Sequence, residues 1–207
     1  MRLSVDSGPI EGDLVVPDGA RGVVVFAHGS GSSRHSARNK RVASALQDAG
    51  LGTLLFDLLT AAEEIVDERT RALRFDIALL GERLVAVTDA LADEARARDL
   101  PVGYFGASTG AAAALVAAAA RPAVRAVVSR GGRPDLAGEA LPTVVAPVLL
   151  IVGSLDREVL ALNREAQARL GGPSELVVVP GATHLFEEPG ALDEVARLAE
   201  RHFTRYL

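Results

Sequence analysis

Short apolar runs recur along the chain, each followed by a helical pattern, and they constrain the fold more than any other feature. They read "GVVVFAH", "GTLLFD", "PVGYF", "AVRAVVS", "PVLLIVG" and "ELVVVPG", with a shorter "LVVP" ahead of them. Each run is continuous rather than alternating, which fits strands buried on both faces of a mostly parallel sheet. Between them lie amphipathic stretches. Val42, Ala45, Leu46 and Ala49 share one helical face over 38–49, and Gly50 ends that helix. Leu73, Ile77, Leu80, Leu84, Val87 and Leu91 mark one long helix over 73–91. "TGAAAALVAAAA" is a helix of small residues, another helix lies near 158–170, and Leu192, Val195, Ala199 and Phe203 mark a closing helix. This alternation predicts an α/β class, a doubly wound and mostly parallel sheet flanked by helices, in a single domain spanning 1–207.

Composition narrows the function classes. With 207 residues, 49% of them hydrophobic, the chain can bury a large core. A net charge of −5 argues against a nucleic-acid surface, which needs a basic face. The absence of cysteine excludes disulfides, thiolate metal sites and a cysteine nucleophile. "MRLSVDSGPIEGD" has no apolar core of a secretory signal, and the apolar runs are too short to span a bilayer. The expectation is a cytoplasmic protein with no membrane partner, acting as a monomer or homodimer.

In a sheet of this kind ligands bind beyond the carboxyl ends of the strands, so the residues that follow each strand carry the function. The "PVGYF" strand delivers "GASTG", a G-x-S-x-G pattern between a strand and a helix. That context suits a sharp turn presenting the Ser108 hydroxyl as a nucleophile, with Gly106 and Gly110 leaving room where strand and helix cross. A serine hydroxyl needs a base, and His184 in "GATH", after the last strand, has the position. His202 lies in the closing helix and is expected to be solvated; His28 is expected to brace the loop at Gly29. The histidine needs an acid to fix its tautomer. Asp156 in "GSLD" is the first choice and Asp135 in "RGGRPD" the competitor, while Asp57 is expected to bond loop amides. An oxyanion needs two donors: the amide of Thr109 and an amide from "HGSGSS", that of Ser30, with Gly31 next.

"HGSGSS", "GASTG", "GSLD" and "GATH", in that order, resemble the α/β-hydrolase superfamily over nearly the whole chain, and within it the dienelactone hydrolase-like group. The resemblance implies an α/β-hydrolase fold. With only 130–146 between the strands delivering Arg130 and Ser154, there is no room for a lid domain. It implies a serine hydrolase acting on a small carboxylic ester or lactone through Ser108, His184 and Asp156, with no cofactor and no metal. Dienelactone hydrolases proper use a cysteine nucleophile where this chain has serine, which favours esterase-like chemistry. "GSGSSRHS … RN" also resembles hydrolase modules sometimes joined to phosphoribosyltransferase domains. The same residues would serve a thioesterase or acyltransferase, and a non-catalytic binding protein on this fold is a third reading. Arg34, Arg130 and Arg133 fall in rim loops. They are either solvated or paired with Asp135, Asp57 or Glu63, or they form an anion pocket beside Ser108 for an acid-bearing substrate.

Overall fold

The structure, a computed structural model, describes residues 1–5 and 7–207. Eight strands form one sheet: β1 (Arg2–Val5), β2 (Gly8–Val15), β3 (Val23–Ala27), β4 (Gly52–Phe56), β5 (Val102–Ala107), β6 (Ala126–Arg130), β7 (Val148–Gly153) and β8 (Ser174–Val179). Their spatial order is β1-β2-β4-β3-β5-β6-β7-β8, with β1 and β2 antiparallel and the rest parallel. Every residue of β3, β4, β6 and β7 is buried, because both faces of the sheet are covered by helices. Continuous valine and leucine runs therefore meet apolar partners on both sides.

The helices are α1 (Ala37–Asp48), α2 (Ala61–Thr70), α3 (Ile77–Leu91), α4 (Thr109–Ala120), α5 (Arg157–Gln167) and α6 (Ala191–Tyr206). On one face Leu80 and Leu84 of α3 and the alanines of α4 pack with Val25, Leu54, Tyr104, Val127 and Leu150. On the other, Val42 and Leu46 of α1 and Val195, Ala199 and Phe203 of α6 pack with Phe26, Phe105, Val128 and Ile151. The small residues of α4 let its neighbours close in. A Cβ at Gly81 of α3 would lie 2.8 Å from the Val116 side chain, so the two helices meet at a distance that only glycine allows. Between β6 and β7 the chain forms only a 3-10 segment, Pro134–Thr143, broken at Gly138.

Three local differences separate this structure from the pattern expected of the sequence. The stripe over 73–91 is interrupted: Leu73–Phe75 is a 3-10 turn, and Asp76, with φ −78° and ψ 83°, caps α3 by accepting from the Leu79 amide at 3.0 Å. Helix α2 has no apolar stripe; Ile65 and Val66 are exposed. Its signal is the capping box, in which Thr60 and Glu63 each accept from the other's backbone amide. His202 is buried rather than solvated, 9% exposed, with its ring against the Pro147 carbonyl at 3.3 Å.

His28 ties the sheet's carboxyl rim together. Its Nδ1 donates to the Gly29 carbonyl at 2.9 Å and its Nε2 accepts from the Leu58 amide at 3.0 Å. Those bonds require the neutral ring, and burial pushes its pKa below 6.5; burial does the same to His202. The unfolded chain then binds more protons than the folded one once pH falls below about 6.5, so stability is complete above that value and declines beneath it. The urea midpoint is expected to be lower at about pH 6.0 than at about pH 7.5. An unchanged midpoint would show that the two rings do not resist protonation.

Candidate active site

Ser108 sits at the junction of β5 and α4 with φ 51° and ψ −121°, a backbone region that residues with a side chain seldom occupy. The crossing leaves no alternative path. A Cβ at Gly106 would stand 2.7 Å from the Ala111 nitrogen, and one at Gly110 would overlap the carbonyl oxygen of Ala27. Three backbone bonds hold the turn: Ser108 donates to the Arg130 carbonyl at 3.2 Å, and its own carbonyl accepts from Ala111 and from Arg133, each at 3.1 Å.

The loops after β7 and β8 are laced to one another. Ser154 donates its amide to Val179, Leu155 donates to Ala182, and Gly181 donates to the Ser154 hydroxyl at 2.8 Å. This fixes Asp156 beside His184, with Nδ1 of the ring donating to Asp156 Oδ2 at 2.6 Å. A ring donating through Nδ1 presents the lone pair of Nε2. Asp135 is elsewhere, joined to Arg133 by bonds of 2.8 to 3.2 Å. His184 and Ser108 line one pocket of about 200 Å³, together with Ser30, Ser36, Arg38, Asn39 and Arg130. Among the described residues no direct hydrogen bond joins the Ser108 hydroxyl to the ring. Such contacts often tighten only when substrate is bound.

The amide of Ser30 donates to the Thr109 hydroxyl at 2.9 Å. The backbone of Thr109, directly after Ser108, opens α4. One threonine thus links the loop after β3 to the first turn of α4. The Ser30 amide is satisfied in the resting protein, so an incoming oxyanion must share it with a neutral hydroxyl or displace that hydroxyl.

The three arginines expected at the rim separate. Arg34 pairs with Asp57, which also accepts from the Arg34 amide at 2.8 Å, so Asp57 does bond the loop. Arg133 pairs with Asp135. Neither lines the pocket of Ser108: of the two readings open for them, pairing with local carboxylates is what the structure shows for Arg34 and Arg133, and the anion pocket does not include them. Arg130 does line it. Arg38 and Asn39 line it too; the sequence shows them as the "RN" that follows "GSGSSRHS", with no role in the site assigned to them. Their signal is Ser36, which caps α1 by accepting from the Asn39 amide at 3.3 Å and so places both residues in its first turn.

Known proteins resemble this arrangement at several levels. Residues 10–207 match the model of the dienelactone hydrolase family. A dienelactone hydrolase structure from Anabaena variabilis is 60% identical, with a TM-score of 0.97, over 100% of this chain and 96% of that one. The esterase Est1E from Butyrivibrio proteoclasticus shares the fold at 16% identity, with a TM-score of 0.79 over 99% of this chain and 97% of its own. Two curated Mycobacterium tuberculosis proteins named putative phosphoribosyl transferase are 63% identical over 96% of this chain. The chain spans only 44% of their length. Among the described residues no helix is long and apolar enough to cross a membrane. The chain belongs to the dienelactone hydrolase family and has the α/β-hydrolase fold.

Proposed function

We propose that the chain is a serine hydrolase that cleaves a small carboxylic ester or lactone through an acyl-enzyme. The observation that carries this reading is the strained turn of Ser108, which opens on the same pocket as a histidine held at 2.6 Å by an aspartate.

In the first half-reaction the Ser108 oxygen attacks the carbonyl carbon while Nε2 of His184 takes its proton. Asp156 holds the ring in the Nδ1–H tautomer and stabilises the cation that forms. The carbonyl oxygen becomes an oxyanion, received by the Thr109 amide at the positive end of α4 and by the Ser30 amide. His184 then returns its proton to the departing alcohol, or to the ring oxygen of a lactone. In the second half-reaction the same nitrogen activates water, which releases the acid and regenerates Ser108. The residues do this without a metal or cofactor. The name of the longer M. tuberculosis relatives gives no step to these residues, whose chemistry is acyl transfer. The action is proposed to be on a soluble small molecule in the cytoplasm, since the short connection between β6 and β7 leaves the site open.

Purified protein is expected to hydrolyse short aryl esters such as p-nitrophenyl acetate, and to do so equally well with EDTA present. Ser108→Ala is expected to keep the fold and lose activity by roughly 10³-fold or more, because no other group there forms the acyl-enzyme. A variant retaining a tenth of the rate would rule out Ser108 as the nucleophile.

The second comparison concerns the acid. Asp156→Asn is expected to lower kcat by on the order of 10³ to 10⁴, since the ring loses the partner that sets its tautomer. Asp135→Asn, which loosens only Arg133, is expected to change it by less than about threefold. Equal losses in the two variants would remove Asp156 from the mechanism.

A further inference from the structure

Helix α5 begins after Asp156, its N-cap, and turns Val159, Asn163 and Ala166 towards the interior. Valine and alanine are ordinary occupants of such a face. Asparagine is not, because an amide taken out of water costs free energy unless its hydrogen bonds are made. Asn163 is wholly buried. Its Nδ2 donates twice, to the Val159 carbonyl one turn back at 2.8 Å and to the Gly132 carbonyl in the loop after β6 at 2.9 Å. Two carbonyls on that side require the nitrogen there, so the partners fix which way the amide faces. Among the described residues its Oδ1 is buried with no partner. The bond to Val159 stays within the helix; the bond to Gly132 reaches another element.

That element is the loop that holds the turn of Ser108. Arg133, next in the chain, donates its amide to the Ser108 carbonyl at 3.1 Å, and Arg130, two residues before Gly132, accepts from the Ser108 amide. The loop is hemmed in on its other sides. Gly131 turns with φ 50° and donates to the Ile151 carbonyl at 2.8 Å. A Cβ on Gly131 would stand 3.1 Å from the His184 carbonyl oxygen and 3.6 Å from Cε1 of its ring, and one on Gly132 would overlap the Ser129 hydroxyl. Residues 131–133 therefore touch the Ser108 turn and His184 together. Asn163 ties these residues to the helix that begins at Asp156. A backbone as strained as that of Ser108 persists where its surroundings over-determine it.

We propose that Asn163 is a positioning residue: through Gly132 and Arg133 it holds the strained turn of Ser108 in place against the His184–Asp156 pair, and so sets the rate of acylation without touching substrate. The effect on acylation rests on the serine hydrolase reading; the hold on the turn does not. Asn163 does not line the pocket of Ser108. The bond between His184 and Asp156 does not run through it either, since that pair is fixed by the lacing of the loops after β7 and β8. Loss of the tie frees the serine relative to a base and acid that stay where they are. A misplacement of about 1 Å at a reacting atom costs on the order of 10² in rate.

Two substitutions isolate the tie. Asn163→Leu keeps the volume and removes both bonds together with the unpartnered oxygen. Asn163→Ser leaves a hydroxyl that donates to the Val159 carbonyl within the helix and is too short to reach Gly132. The bond to Gly132 is the one lost in both, and Asn163→Ser, the milder change, carries the test if Asn163→Leu does not fold. In the first arm each protein is treated with a fluorophosphonate, and the extent and the rate of labelling are followed separately. kcat/KM for p-nitrophenyl acetate is then referred to the labelled fraction. Both variants are expected to label to one adduct per folded chain, about 10- to 100-fold more slowly than the wild type, and to lose kcat/KM by a like factor. A role in stability alone would lower Tm and the labelled fraction and leave the rate per labelled chain unchanged; that result would overturn the proposal and leave the hydrolase reading intact. In the second arm, amide hydrogen exchange is followed by NMR at Arg133, with Leu155 in the lacing of the loops as the control. The Arg133 amide is expected to exchange faster in both variants than in the wild type, and the Leu155 amide at an unchanged rate. Unchanged exchange at Arg133 would show that Asn163 does not hold the turn. If the wild type takes up no fluorophosphonate and cleaves no ester, the hydrolase reading falls with the effect on acylation, while faster exchange at Arg133 in the variants would still keep Asn163 as the residue that holds the turn.

Discussion

The crossing of β5 and α4 over the end of β3 is so close that the chain can pass through it only by turning left-handed at Ser108. Gly106 and Gly110 make the crossing possible, since a side chain at either would meet backbone atoms of Ala111 or Ala27. Ser108 itself carries a strain of about 1–3 kcal/mol. That strain is held by its amide on the Arg130 carbonyl and by its carbonyl under the amides of Ala111 and Arg133. The same bonds locate everything else. β6 is brought alongside with Arg130 at its tip, β7 follows with Asp156 and β8 with His184. The serine is thus held above the sheet by the fold itself, and its neighbours are supplied by strand order.

Charge around this turn is arranged unevenly. On the outer side of the loop after β3, Arg34 with Asp57 and Arg74 with Asp67 form closed pairs that neutralise themselves. On the inner side, Arg38 and Arg130 line the pocket shared by Ser108 and His184, while Glu187, the carboxylate that pairs with Arg38, is not part of that lining and lies largely in solvent. His28, which lines the outer side, stays neutral, so that it can accept from Leu58 while bracing Gly29. An excess of positive charge beside a reacting carbonyl favours the oxyanion proposed to form there.

Much of this was legible in the sequence, for identifiable reasons. Strands β3 to β7 are visible because both faces are buried, so each carries a continuous apolar run. The β1–β2 hairpin is not, because β1 is half-exposed and too short to stand out. Helix α2 escapes a search for apolar stripes because it buries little beyond Asp67; only its capping box marks it. At the site, the positions of Ser108 and His184 follow from strand ends. The choice between Asp156 and Asp135 does not, since both follow strands that reach the same rim. It turns on the bonds lacing residues 154–155 to 179–182, which no linear pattern shows. The arginines illustrate the same limit. Position along the chain places Arg34, Arg130 and Arg133 near the rim, but their function depends on which of them finds a carboxylate, and that is a matter of three-dimensional neighbours. Arg38 and Asn39 stand in the sequence as the "RN" after "GSGSSRHS", but that they line the pocket of Ser108 is likewise a matter of three-dimensional neighbours.

The claim on which the rest depends is that the strained Ser108 hydroxyl is the activated nucleophile. Covalent capture measures this directly. The wild-type protein is incubated with a fluorophosphonate at neutral pH, its intact mass is recorded, and the adduct is located by peptide mapping. The account predicts one adduct per chain, on Ser108, formed far more slowly when His184 is replaced by alanine. No adduct, or an adduct on another serine such as Ser30 or Ser32, would contradict it.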